Sequence, residues 1–158
     1  MNTSNIKKYA PQARNDFIAA MRKQAAKYGI TADSILPAEQ KGDLLLIGDQ
    51  VFPLSVMKSR EKLIKRIQTS SFEQTIDYIA YSWFNRLCAI RYMECKGLLD
   101  HGRRVLSSAD GSAGLPQILE ECLDIDLPGL DASRVAELKL DGNKDEELYR
   151  ELLLAQCH

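Results

Sequence analysis

Apolar residues along the chain recur mostly at three- and four-residue steps, the period of a helix face. Phe17, Met21 and Ala25 line one side of a helix predicted from Pro11 to Tyr28, with the proline tolerated in the opening turn and Gly29 as the stop. Its opposite side carries Arg14, Arg22 and Lys23. A second helix is predicted from a Ser55 cap to about Gln68, with Val56, Leu63, Ile64 and Ile67 facing inward and Lys58, Arg60, Lys62, Lys65 and Arg66 crowding the outside. The strongest pattern follows: Ser71-x-x-Gln74 reads as a capping box, and the helix it opens continues to Lys96 and stops at Gly97. Phe72, Ile76, Ile79, Trp83, Leu87 and Ile90 run along one face of that helix, and Tyr78, Tyr81, Ala89 and Tyr92 make its flanks apolar as well. A helix apolar on more than one side is expected at the centre of the fold.

Other segments break this rhythm. Thr31 to Gly42 is turn-rich, and Asp43 to Pro53 places two short apolar runs on either side of Gly48-Asp49, the pattern of a tight hairpin closed by Pro53. Arg103 to Leu106 reads as a short strand, and Ser107 to Gly114 has the composition of a flexible loop. Short helices are predicted from Pro116 to Cys122 and from Ala132 to Leu140, separated by the Pro128-Gly129 turn. A last helix follows Asn143, with Asp145, Glu146 and Glu147 at the positive end of its dipole and Leu148, Leu152 and Leu153 packed inward. The expected fold class is therefore mainly α, a helical bundle around a long central helix with one small β-hairpin, and residues 1–158 are read as a single domain. The last helix carries no stop signal, which fits either a chain continuing beyond residue 158 or a natural end that frays.

Composition narrows the class. Apolar residues make up 45% and charged residues 27% of the 158, as in folded globular proteins. Met1 to Lys8 has no apolar block behind its lysines, and no stretch approaches the roughly 18 apolar residues of a membrane span, so a cytoplasmic protein without membrane contact is expected. Cys88 and Cys95 lie on one helical pattern, roughly 10 Å apart at the helical rise, too far to bridge, and Cys122 and Cys157 sit in apolar runs; reduced thiols are the simplest reading. The net charge of −1 conceals an uneven distribution: residues 1–99 hold 15 Lys+Arg against 9 Asp+Glu, while residues 100–158 hold 6 against 13. Such a split permits a basic face for nucleic acid or an acidic partner, or two halves that pack on each other.

Residues with the spacing of catalysis are scarce. No Gly-rich phosphate loop, nucleophile elbow or metal-ligand spacing is present, and neither His101 nor His158 sits in a catalytic context. Asp33 followed by Glu39-Gln40-Lys41 superficially matches a nuclease metal triplet, but it falls in a turn-like stretch and reads as a solvated loop. Tyr78, Tyr81, Trp83, Phe84 and Tyr92 with Arg86 and Arg91 have the ingredients of base stacking, yet their helical spacing assigns them to the core. Arg91 and Glu94 stand at ion-pair spacing beside it. The better nucleic-acid candidate is the basic face of Lys58, Arg60, Lys62, Lys65 and Arg66, which Arg14, Arg22 and Lys23 extend if the first two helices lie side by side; a merely solvated face has the same composition.

Two blocks carry a further signal. Asn5-Ile-Lys-Lys-Tyr-Ala-Pro-Gln-Ala-Arg-Asn-Asp-Phe-Ile18 and Ala80-Tyr-Ser-Trp-Phe-Asn-Arg-Leu-Cys-Ala-Ile-Arg-Tyr-Met-Glu94, followed by Gly97-Leu-Leu, resemble the N-terminal region of the PglX family. These are the adenine-specific DNA methyltransferases of bacterial BREX phage-defence systems, related to type II restriction-methylases. The closing Glu147-Leu-Tyr-Arg-Glu-Leu-Leu-Leu-Ala-Gln-Cys157 is similar to the stretch that leads into the rest of those proteins. The resemblance implies a parent enzyme that binds S-adenosylmethionine on an α/β domain and grips a flipped adenine with an Asn/Asp-Pro-Pro-Tyr motif. This sequence contains neither element, so no catalytic or cofactor residue is carried over. The implied role is a non-catalytic N-terminal domain that helps engage double-stranded DNA or scaffolds the enzyme. Its implied partners are the rest of the methyltransferase polypeptide and other defence-system proteins, and the alternative is a protein-interaction module docking on either.

Overall fold

The computed structural model describes residues 4–157, with side chains from residue 9 onward, so His158 lies outside the described residues. Helix α1 spans Ser4–Lys27, and Pro11 lies inside it rather than in its opening turn. Proline lacks the N–H that would reach back one turn, and the helix continues through it without that bond. Helix α2 spans Val56–Thr69 and helix α3 spans Phe72–Lys96. The expected capping box is formed in its first half: the Ser71 hydroxyl accepts the Gln74 N–H at 3.2 Å. Ser55 occupies the cap position of α2, but its backbone is already helical and its side chain makes no capping bond. Both long helices end in a Schellman motif. Ile30 N–H reaches Ala25 O at 3.0 Å around Gly29, and Leu98 N–H reaches Met93 O at 2.9 Å around Gly97, the two glycines taking φ of +68° and +65°.

Between α1 and α2 the expected hairpin is a three-stranded antiparallel sheet, β1 Ala38–Lys41, β2 Leu44–Ile47 and β3 Gln50–Pro53. Lys41 pairs with Leu44 and Ile47 with Gln50, so each connection has two residues, Gly42-Asp43 and Gly48-Asp49. The first residue of each turn has positive φ, +59° and +57°, a conformation that favours glycine. Strand β1 escapes a search for alternating apolar residues because all four of its side chains are exposed. The sheet packs by one face only: Leu45, Ile47 and Phe52 are buried against Tyr28, Val56 and Met57.

The chain forms two compact units, Met1–Phe84 and Asn85–His158, with the boundary inside α3. In the first, Ala25, Ile30, Phe72 and Ile76 make a core with flanking residues of α1 and α2. The second contains the C-terminal part of α3, α4 Gln117–Glu120, a 3-10 turn at Cys122–Asp124, α5 Ala132–Asp141 and α6 Asp145–Gln156. Asp131 caps α5 by accepting the Ser133 and Arg134 N–H groups at 2.9 and 3.2 Å. Val105, Ile118, Leu138, Leu148 and Leu152 are fully buried in this unit's core. The molecule is thus mainly α with one small sheet, and no described helix is long and apolar enough to cross a membrane.

Arg103 to Leu106 is not the expected strand. Most of its bonded main-chain groups meet side chains: Val105 and Leu106 donate their N–H groups to Glu94 Oε2 at 2.9 and 2.8 Å, and Val105 O accepts Tyr149 Oη–H at 2.9 Å, while Arg104 O accepts the Ile118 N–H at 2.9 Å. Glu94 has no side-chain exposure and also receives the Ser107 hydroxyl at 2.9 Å and the Arg91 guanidinium. Burial alone would push its carboxyl pKa up. The Leu106 N–H, Arg91, Ser107 and the Val105 N–H together outweigh that and hold it below the ordinary carboxylate range.

Because the folded pKa is depressed, Glu94 contributes stability above its unfolded pKa, and that contribution is lost as pH falls through the lower folded value. Glu94→Ala is expected to destabilise by about 3 kcal/mol near neutral pH, since two buried N–H groups and an arginine lose their acceptor. Urea unfolding of both proteins at neutral and acid pH checks this, the difference between them shrinking as the wild-type carboxylate protonates.

Candidate nucleic-acid interface

The eight basic residues picked out by the sequence separate into three environments. Lys58, Lys62 and Arg66 follow one another at four-residue steps on α2, flanked by Lys65, and all four are exposed. Lys58, Lys62 and Lys65 form no ion pair among the described residues. Arg66 lies over the Tyr78 ring of α3, with its guanidinium carbon 3.8 Å from the ring centroid, a cation–π contact.

Arg60 is different. It is buried rather than on the outer face, with its Nε 2.9 Å from Tyr28 O and its Nη2 donating to Leu36 O. Burial lowers its pKa from the ordinary guanidinium value, yet arginine stays charged, and both carbonyls belong to irregular backbone after α1 that has no helical or sheet partner there. Arg60 is therefore a structural clamp. The sequence does contain the signal: Val56, Arg60 and Ile64 share a four-residue step, and Leu63 and Ile67 complete the same inner face. Grouping Arg60 with its neighbours by charge rather than by helical phase misplaced it.

Two of the three α1 candidates do not extend the α2 surface as free cations. Arg14 pairs with Asp77 at 3.0 Å and Arg22 with Glu73, so both are matched by acidic groups of α3. Lys23 is exposed. The Arg14–Asp77 pair borders an apolar groove of about 190 Å³ between α1 and α3, lined by Ala10, Phe17, Ile18, Ala80, Tyr81 and Phe84. Phe17 meets Phe84 edge to face with centroids 5.8 Å apart.

The aromatic stripe of α3 is not the buried core that its spacing suggested. Tyr78, Tyr81 and Tyr92 are 53%, 68% and 61% exposed, while Trp83 and Phe84 are half-buried. The inner face is instead Phe72, Thr75, Ile76, Ala80, Ile90 and Glu94. Tyr78 and Tyr81 fall out of phase with it.

Elsewhere the chemistry is structural. His101 Nδ1 accepts the Arg103 N–H at 3.1 Å, which leaves the proton on Nε2, 2.7 Å from Gln156 Oε1. Glu39 and Lys41 face each other at 3.9 Å on exposed β1, and no group of three His, Cys, Asp or Glu among the described residues converges on a metal position. Cys88, Cys95, Cys122 and Cys157 are free thiols. The residues do not fit S-adenosylmethionine on an α/β domain, because the sheet is antiparallel with two-residue turns and offers no crevice at the ends of parallel strands.

Replacing Arg60 by Ala is expected to cost about 2 kcal/mol of stability by removing the donor to the Tyr28 and Leu36 carbonyls and the packing of a buried side chain. Lys62→Ala on the exposed face should stay within about 0.5 kcal/mol. Thermal melts of the two variants separate clamp from surface, and equal shifts would contradict the assignment.

Comparison with known proteins places this architecture. No protein-family model matches the chain. It is 48% identical over its whole length to the adenine-specific methyltransferase BrxX of Escherichia coli O9:H4 (strain HS), and 30% identical over 80% of its length to the adenine-specific methyltransferase PglX of Lacticaseibacillus casei (strain Zhang). It spans only 14% and 11% of those two proteins. Likeness along the whole chain to one part of the far longer BrxX, and along most of it to one part of PglX, shows that the chain belongs to their family and matches only a segment of each.

Proposed function

We propose that this chain is the N-terminal region of a BREX adenine-specific DNA methyltransferase, and that it engages DNA without catalysing methyl transfer. In this reading S-adenosylmethionine and the reacting adenine belong to the remainder of the parent enzyme, and other defence-system proteins are further partners. The observation that carries it is the composition of the α2 face. Lys58, Lys62, Lys65 and Arg66 are exposed together on one helix, while the neighbouring Arg14 and Arg22 are matched by carboxylates. Four cations on a helix stripe neutralise phosphates without reading bases, which gives weak, sequence-independent and strongly salt-dependent binding.

The apolar groove between α1 and α3 favours a second reading, a module that docks on the methyltransferase core or on another defence component. Titrating labelled duplex DNA at two salt concentrations discriminates. Four phosphate contacts give a slope of log K against log salt of about −3 to −4, and Lys58→Glu with Lys62→Glu and Lys65→Glu should abolish most of the binding. A flat salt response that is insensitive to charge reversal, with co-purification of the remaining polypeptide in the absence of DNA, would favour the docking reading.

A further inference from the structure

Tyr78 gives the basic face a feature that phosphate neutralisation does not require. Lys58 and Arg66 stand eight residues apart on α2, roughly 12 Å at the helical rise. That stripe ends at an exposed tyrosine ring already engaged by the Arg66 guanidinium at 3.8 Å. Tyr81, one helical turn further along α3, is more exposed still. A duplex presents its phosphates outward and keeps base faces stacked inside, so a base beside the cation row can reach the Arg66–Tyr78 pair only where it is unpaired. Single strands are held by the complementary pair of features, cations along the backbone and aromatic or guanidinium planes against the bases.

We infer that the α2 face with Tyr78 is a site for unpaired nucleic acid, in which Lys58, Lys62 and Lys65 hold successive phosphates and a base stacks at the Arg66–Tyr78 pair. The inference rests on the DNA-engagement reading above and adds the state of the strand. Tyr78 is about half exposed, so its removal should leave the fold intact, and Tyr78→Phe keeps the ring while removing only the hydroxyl.

The test is fluorescence anisotropy of the 158-residue chain with a labelled oligothymidine and with a hairpin duplex of similar length, at low salt. Tyr78→Ala is expected to weaken binding to the single strand about tenfold and to the duplex less than twofold, with Tyr78→Phe close to wild type. An unchanged single-strand affinity in Tyr78→Ala, or equal losses on both forms, overturns the stacking site even if the triple lysine reversal abolishes binding. Should the wild-type chain bind neither oligonucleotide, or the triple reversal leave binding intact, the basic-face reading itself falls.

Discussion

Burying an ion within reach of unpaired backbone is the constraint on which each unit depends. Glu94 is withdrawn from water and would be strongly disfavoured there as a charge, but the N–H groups of Val105 and Leu106, the Ser107 hydroxyl and Arg91 surround it with donors. Arg60 does the converse in the first unit, donating to the carbonyls of Tyr28 and Leu36. An anion organises a segment through its N–H groups, and a cation organises another through its carbonyls. Neither segment has a helix or strand to take those bonds, and unpaired polar backbone is costly in its own right. Among the described residues no buried side-chain nitrogen or oxygen is left without a partner.

This division of labour explains the surface left for function. The α2 helix has one positive charge turned inward as a clamp and four outward, whereas α1 meets the acidic residues of α3. Ion pairs such as Arg14–Asp77, half-exposed on both sides, add little stability, but they remove net charge from that flank. The α2 face, by contrast, keeps Lys58, Lys62 and Lys65 without acidic partners among the described residues beside the Arg66–Tyr78 contact.

Much of this was legible from residue order. Local rules, which involve neighbours within a turn or two, place the long helices, the Ser71 cap, the glycine stops and the Gly48-Asp49 turn, because capping, positive φ and periodicity are set by adjacent residues. The phase of α2 and α3 also held more than was drawn from it: Arg60 and Glu94 sit on inner faces, and Tyr78 and Tyr81 do not. Charge and aromatic character obscured that phase, as they did for the polar edge strand β1, whose Gly42-Asp43 turn repeats the one at Gly48-Asp49.

The sequence by itself determined a helical chain with reduced-looking cysteines, no recognisable catalytic motif and a basic second helix, all consequences of composition and spacing. Only the tertiary structure decided which charges are structural and which are available. The partners of Arg60 lie 24 and 32 residues away, those of Glu94 up to 13, and the Arg66–Tyr78 contact joins two helices. Such pairings depend on where the chain returns after a turn, and that is fixed by packing the whole core rather than by any window of neighbouring residues.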